Sequence, residues 1–178
     1  MIYAAFLRGM NLGNRRITND DLRAEFERLG LDSPQTFQAA GNVVFESPVK
    51  SEPKLTKLIE SGLEEGLGYA VPTVLRNASE LAELVGAEPF PAKDVKASKG
   101  KLQVLLLASK PTAAARRTVL GHSTGEDRLA FGERELVWLP SGGISDSDLD
   151  LRAIEKALPT GTMRTRGTIE RLAAKFLD

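Results

Sequence analysis

Near the N-terminus three arginines, two asparagines and two glycines fall in one short stretch, Arg8-Gly9-Met10-Asn11-Leu12-Gly13-Asn14-Arg15-Arg16. Guanidinium groups offer charge-assisted donors in the planar geometry that phosphate and carboxylate accept. Gly9 and Gly13 let the backbone come close to a ligand. The stretch leaves an apolar strand and leads into the start of a helix, where backbone N–H groups and the helix dipole favour anions. The chemistry this suggests is anion binding. Arg8, Arg15 and Arg16 would neutralise the charge, Asn11 would orient it, and Gly13 and Asn14 would shape the loop. No Lys-Ser/Thr pair follows Gly13, so the stretch is not a P-loop, and it does not have the spacing of a dinucleotide fingerprint. The competing reading is a polar loop whose glycines only make turns and whose Arg8 stem packs over the sheet.

Other groups of reactive residue types are weaker. Asp146-Ser147-Asp148-Leu149-Asp150 begins like a calcium loop, but Leu151 and Ala157 stand where the loop needs Gly and Glu. Asp146, Ser147 and Asp148 are read instead as caps for the next helix. His122-Ser123-Thr124-Gly125-Glu126-Asp127 holds acid, base and hydroxyl in one turn, whereas catalytic triads are assembled from separate segments, so a surface loop is expected. Arg152, Lys156, Arg164, Arg166, Arg171 and Lys175 make the C-terminal region locally basic, the pattern of a solvated helix face.

Composition bounds the rest. The 178 residues carry 24 Lys and Arg against 24 Asp and Glu, so no broad field pulls the whole chain onto nucleic acid or membrane. There is no cysteine and one histidine, His122, which excludes disulfides, thiolate metal sites, a cysteine nucleophile and a histidine metal cluster. No metal and no cofactor are expected. The apolar run Ile2–Leu7 is too short to span a membrane and has no features of a signal peptide. A soluble, cytoplasmic chain without a membrane partner is expected. Aromatic content is 6%, and Tyr3, Phe6 and Phe45 read as core, so a stacking surface for nucleic acid is not expected.

The elements that position the Arg8 loop follow from patterning. Ile2–Leu7 is apolar on both alternating faces, as in a central strand covered on both sides. Thr18 is the expected N-cap of a helix with Leu22, Phe26 and Leu29 on one face, ended by Gly30. Strands are expected at Gln35–Ala39 and Asn42–Glu46, turned at Ala40-Gly41. A helix opened by Ser51 and Pro53 carries Leu55, Leu58, Ile59 and Leu63. A strand over Val71–Arg76 belongs at an edge because Pro72 lacks an N–H.

This strand-helix-strand-strand-helix-strand order predicts a split βαβ unit with the first and third strands central. It recurs at Gln103–Leu107, Pro111–Leu120, Arg128–Phe131, Glu135–Leu139, Leu149–Leu158 and Gly161–Arg164, followed by a helix with Ile169, Leu172 and Phe176 on one face. The expected fold is α+β, two tandem ferredoxin-like βαββαβ units with antiparallel sheets. The expected division is residues 1–76, a connector with a short helix at 77–101, and residues 102–178. In this topology the end of the first strand lies beside the start of the third. That brings Gly41 and Asn42 to the Arg8 loop, with Asn42 as a second orienting amide.

Ala5-Phe6-Leu7-Arg8-Gly9-Met10-Asn11-Leu12-Gly13 and Gly41-Asn42-Val43-Val44-Phe45-Glu46-Ser47 resemble the opening of the bacterial domain-of-unknown-function family 1697. Val74-Leu75-Arg76, Glu80-Leu81 and Pro89-Phe90-Pro91 are similar to its middle. The resemblance implies a tandem ferredoxin-like fold and brings no activity, cofactor or substrate. Arg8, Asn11, Gly13, Gly41, Asn42 and Arg164 fit the family pattern, which adds Arg164 to the candidate ligand-binding residues. Ala39-Ala40, Ser147-Asp148-Leu149 and Arg164-Thr165-Arg166-Gly167-Thr168 depart from it, replacing Gln-Ser, Ser-Lys-Leu and Arg-Asn-Trp-Asn-Thr.

Three functions fit these residues. One is a module binding a phosphate- or carboxylate-bearing small molecule at the first strand-helix loop. Another is an interaction or structural module with no small-molecule site. The third is an enzyme on a nucleotide or other phosphorylated substrate, for which Glu46 and Asp21 are the carboxylates nearest the loop. Residue types name no catalytic group and no oligomeric state.

Overall fold

The computed structural model describes residues 1–39, 41–98 and 101–177. The chain runs β1 (Ile2–Leu7), α1 (Asn19–Arg28), β2 (Asp32–Thr36), β3 (Asn42–Glu46), α2 (Glu52–Leu67), β4 (Thr73–Asn77) and α3 (Ala78–Gly86). It continues with α4 (Ala92–Ala97), β5 (Gln103–Leu107), α5 (Ala113–Leu120), β6 (Arg128–Phe131), β7 (Glu135–Leu139), α6 (Leu151–Ala157), β8 (Gly161–Thr165) and α7 (Arg166–Phe176). Two four-stranded antiparallel sheets result, in the orders β2-β3-β1-β4 and β6-β7-β5-β8. Both are the split βαβ order, with strands one and three of each unit central and strands two and four at the edges. The chain thus has the expected α+β fold of two βαββαβ units. Its compact units are Met1–Ala82 with the residues from Lys175 on, and Glu83–Ala174.

In the first unit Tyr3, Ala5 and Leu7 point to one face of β1 and pack with Leu22 and Phe26 of α1 and Leu55, Ile59 and Leu63 of α2. Ala4 and Phe6, on the other face, are also fully buried. The unbroken apolar run of β1 is therefore needed on both sides. Burying a side chain such as Phe26 or Ile59 contributes roughly 1.5–3 kcal/mol, so this layer is the main source of the unit's stability. Thr18 caps α1 as expected, its hydroxyl oxygen accepting from the Asp21 amide at 3.1 Å. Gly68 closes α2 in the left-handed conformation at φ 81°.

The second unit has the same layer, with Leu105, Leu107, Leu136 and Trp138 packed on Val119 of α5 and Ile154 of α6. Its other sheet face is covered in part by the preceding segment. Val137 and Leu139 of β7 pack with Phe90, Val95 and Leu102. Helix α4 belongs to this cover and is fastened by the Asp94–Arg128 ion pair at 2.8 Å. Six residues give no periodic stripe, so the sequence does not announce it.

The repeat reaches further than the six elements expected. In each unit the last strand runs directly into a helix capped by that strand's final side chain. Asn77 accepts from the Glu80 amide at 3.0 Å while Glu80 accepts from the Asn77 amide at 2.9 Å, a reciprocal capping box at the start of α3. Thr165 accepts from the Thr168 amide at the start of α7. Arg76 stands opposite Ala4, and Arg164 opposite Val104. Each donates from Nη1 to the carbonyl of its preceding residue, at 2.8 Å in both cases. The repeat is thus visible in residues as well as in topology.

Several local expectations are corrected. Strand β2 begins at Asp32 rather than Gln35, because its pairing with β3 slips between Asp32 and Gln35. Ser33 there has φ 47° and Pro34 follows it, so an irregular edge strand hides its own alternation. Strand β4 begins after Pro72. Helix α6 is capped by Asp150, which accepts from the Ala153 amide at 3.0 Å. Asp146, Ser147 and Asp148 are not its caps: Ile144–Asp146 forms a 3-10 turn, and the Ser147 hydroxyl accepts from the Leu149 amide. Ala40 of the expected turn, and Lys99 and Gly100 of the expected connector loop, lie outside the described residues.

Candidate functional site

The Arg8–Arg16 stretch leaves the carboxyl end of β1 between two neighbours. The Leu7 amide donates to the Gly41 carbonyl at 2.8 Å, and the Arg8 amide donates to the Pro72 carbonyl at 2.9 Å. Phe6 stands opposite Asn42 in the β1–β3 ladder. The antiparallel pairing therefore brings Gly41 and Asn42 to the loop, as the topology requires. Gly41 has φ 76°, and a Cβ there would lie 2.7 Å from Met10 Cγ and 2.9 Å from Leu7 Cβ. No other residue fits without displacing the loop's own Met10, which is buried against the unit's core.

The loop is held in an unusual backbone path. Gly9, Asn11 and Gly13 all have positive φ, at 74°, 58° and 57°. The Asn11 carboxamide oxygen accepts from the Ile17 amide at 3.2 Å, closing the loop onto the approach to α1. The Arg15 amide donates to the Leu12 carbonyl at 2.9 Å. The Arg15 guanidinium lies over the Tyr69 ring, 4.4 Å from its centroid, a contact worth roughly 0.5–1 kcal/mol at an exposed site. Arg8, Asn14, Arg15 and Arg16 are exposed, as is Gly13. Three segments far apart in sequence, 8–16, 41–42 and 69–72, thus converge on one end of the sheet.

The side chains divide into holders and presenters. Asn42 is buried, and its amide nitrogen donates to the Phe37 carbonyl at 3.0 Å, tying the β2–β3 turn. Asn11 uses one lone pair of its oxygen on Ile17, which leaves the N–H2 group and the oxygen's second lone pair. The cationic groups at the surface are the three arginines. The helix end contributes less than its position suggests. Thr18 takes the Asp21 amide, and the carboxylates of Asp20 and Asp21 occupy the first turn, where they answer the helix dipole.

Arg164 is in the other unit. It lies on β8, and its Nη1 donates to the Thr162 hydroxyl at 2.9 Å as well as to the Met163 carbonyl. Burial lowers its pKa to about 10, because the charged form loses hydration. Glu46 is not beside the loop. It pairs with Ile2 at the opposite end of β1, roughly 13 Å from Asn42 at the rise of an extended strand. Asp21 accepts from the Thr18 hydroxyl at 2.7 Å, within the helix cap. Neither is placed as a base for the loop.

The acid-base-hydroxyl turn at 122–127 is structural. Asp127 is buried and accepts from Trp138 Nε1 at 2.9 Å and from the Ser141 amide at 3.2 Å, while Thr124 accepts the Asp127 amide. The sequence reading missed Tyr69 and Pro72. Their signal was the break between α2 and β4, which the ferredoxin-like order places at the same sheet end as the first loop.

Fold and loop together define a tandem ferredoxin-like protein with a long cationic loop after its first strand. The chain belongs to the family described as Protein of unknown function, DUF1697, whose profile matches residues 1–137. The match includes the Arg8 loop and the Gly41 turn. The fold is also that of a conserved bacterial protein from Streptococcus pneumoniae, with a TM-score of 0.78 over 99% of this chain and 98% of that one at 19% sequence identity. No curated protein matches the sequence. Among the described residues no helix is long and apolar enough to cross a membrane.

Proposed function

We propose that this chain is a binding module for a phosphate- or carboxylate-bearing small molecule, held at the Arg8–Arg16 loop. The observation that carries the reading is a contrast within the molecule. The two units share one topology, yet the connection after the first strand is Arg8–Thr18 in one unit and Ala108–Thr112 in the other. A ferredoxin-like unit therefore closes with less than half that length. The longer connection includes three exposed arginines and three positive-φ positions, features the shorter one closes without.

Arg8 and Arg16 supply the charge, Arg15 is preset by stacking on Tyr69, and the loop backbone opened by Gly9 and Gly13 lets the ligand approach. Because Thr18, Asp20 and Asp21 already satisfy the start of α1, the guanidinium groups rather than the helix end carry the binding energy. The reading predicts a ligand rich in acceptor oxygens and tolerant of its organic part.

The test is thermal shift and calorimetry with inorganic phosphate, pyrophosphate, citrate and adenosine monophosphate on the native chain, Arg8→Ala and Arg16→Ala. At least one of these anions is expected to stabilise the native chain, with affinity at least tenfold lower in each variant. Equal responses from all three proteins would overturn the assignment.

A further inference from the structure

The second unit contains a cavity that the loop site does not involve. Its volume is about 590 Å³, within the range of small-molecule pockets. Phe90, Ala92, Val95 and Leu102 give it an apolar wall. Phe90, Val95 and Leu102 belong to the cluster that covers β7, so this wall is fixed by the unit's own packing. The rest of the lining includes the first turn and a half of α7.

Arg166 acts as a clamp within this lining. Its Nη2 donates to the carbonyls of Val85 and Ala87, and its Nε donates to Glu170 at 3.0 Å. This neutralises Glu170 and ties α7 to the 85–87 segment, so the cavity is preformed rather than opened by a ligand. With Arg166 and Glu170 paired, the remaining charges in the lining are Lys96, Lys101 and Arg171 against Glu88. The excess is positive. Arg171 Nη1 lies 3.2 Å from where a Gly167 Cβ would stand, which places the guanidinium across the start of the helix. Of the first-turn amides, that of Arg166 donates to the Leu102 carbonyl and that of Thr168 to Thr165. Gly167, in the same turn, is itself a lining residue.

We propose that this cavity binds a small amphiphilic carboxylate, an organic anion with a compact apolar body. The apolar body rests on Phe90, Val95 and Leu102, and the carboxylate meets Arg171, Lys101 and the Gly167 amide. A lining that combines apolar side chains with an excess of cations suits such a ligand better than either a fully polar anion or a neutral hydrocarbon, because both halves find partners. The site shares no residue with the Arg8 loop and differs from it in requiring an apolar body on the ligand.

Calorimetry and amide NMR with 1-naphthoate test it, with neutral 1-naphthamide and acetate as controls. The variants are Ala92→Trp, which fills the cavity from an exposed helix position, the double substitution Lys101→Ala/Arg171→Ala, and Arg16→Ala. Saturable binding of 1-naphthoate is expected, with shifts at Gly167 and Val95. Ala92→Trp should abolish it, the double variant should weaken it at least tenfold, and Arg16→Ala should leave it unchanged. Naphthamide and acetate should each bind at least tenfold more weakly. Absence of saturable 1-naphthoate binding, equal affinity for naphthamide, or unchanged binding by Ala92→Trp would each overturn the proposal, whatever the outcome at the Arg8 loop.

Discussion

The two units solve one problem at one sheet end in opposite ways. In each, the last amide of the first strand donates to a carbonyl at the start of the third, Leu7 to Gly41 and Leu107 to Arg134. In the second unit that end is closed by its own charges. Lys110 pairs with Glu133 at 2.6 Å, Arg116 donates to the Glu133 carbonyl, and Arg134 donates to the Ala108 carbonyl. In the first unit a longer loop brings three exposed arginines to the equivalent end. There a glycine replaces the arginine so that Met10 can pack. One copy pairs charges across a short loop, and the other carries three exposed arginines in a longer one. The lesson is that a repeated fold supplies its own control: what one copy has and the other lacks is not required by the βαββαβ topology itself.

The comparison can be broken most forcefully at its structural hinge. Gly41→Ala places a Cβ against Met10 and Leu7 at positive φ, and should destabilise the chain by roughly 2–4 kcal/mol from clash and strain combined. Arg134→Ala, at the equivalent position, should change stability by no more than about 0.5–1 kcal/mol because a Cβ is already accommodated there. Urea unfolding of both variants checks this, and similar losses would show that the two ends are not built differently.

Arg164 gives a pH-dependent prediction. Its folded-state pKa is depressed to about 10 by burial, so between that pH and its ordinary value the folded chain has released a proton that the unfolded chain still holds. Stability from this group therefore rises with pH through that window, and the cost of its burial is fully present below pH 10. Relative to Arg164→Met, the native chain should gain somewhat under about 1 kcal/mol between pH 8 and about pH 10.5. Urea midpoints at the two pH values measure it; a gap that does not move would show that Arg164 keeps an ordinary pKa.

Smaller effects sharpen the picture of the loop. Tyr69→Leu removes the ring under Arg15, and should cost about 0.5–1 kcal/mol, with faster hydrogen exchange at Arg15 and Ile17. The second unit's ion pair should matter least. Lys110 donates to the Glu133 carboxylate and holds its pKa below the usual carboxylate range. Lys110→Ala should move the Glu133 titration midpoint upward in carboxyl NMR with no measurable change in melting temperature. Because the pKa is depressed, any contribution of the pair is present above the usual carboxylate pKa and fades as the pH falls.

How far the sequence could be read follows from where each element draws its stability. The limits of β5, β6 and β7 were legible because apolar alternation and a tight turn are local signals. The Thr18 cap was legible because its side chain meets the backbone within a turn, and the Pro53 start and Gly30 stop because those residues carry their own backbone preferences. Helix α4 was not, since a six-residue helix is held by Asp94 on Arg128 and by Val95 in the core, contacts made at a distance. The start of β2 was hidden by Ser33 and Pro34, which break the alternation an edge strand is free to break.

At the candidate site, antiparallel pairing was enough to bring Gly41 to the loop. It was not enough to show that Asn42 points into its own turn. The Thr18 cap and the two carboxylates at the start of α1 were legible, and the same pairing that brings Asn42 to the loop puts Glu46 a strand's length away, at Ile2. Patterning locates backbone, while the direction of a side chain depends on its neighbours.

The most direct test of the central claim uses the two sheet ends within one sample. Amide NMR is recorded during a titration with inorganic phosphate at low ionic strength. The account predicts saturable shifts at Gly9, Gly13 and Gly41 that vanish in Arg16→Ala, with Ala108, Ser109 and Arg134 unmoved. Shifts that fail to saturate, or that appear equally at both ends, would contradict it.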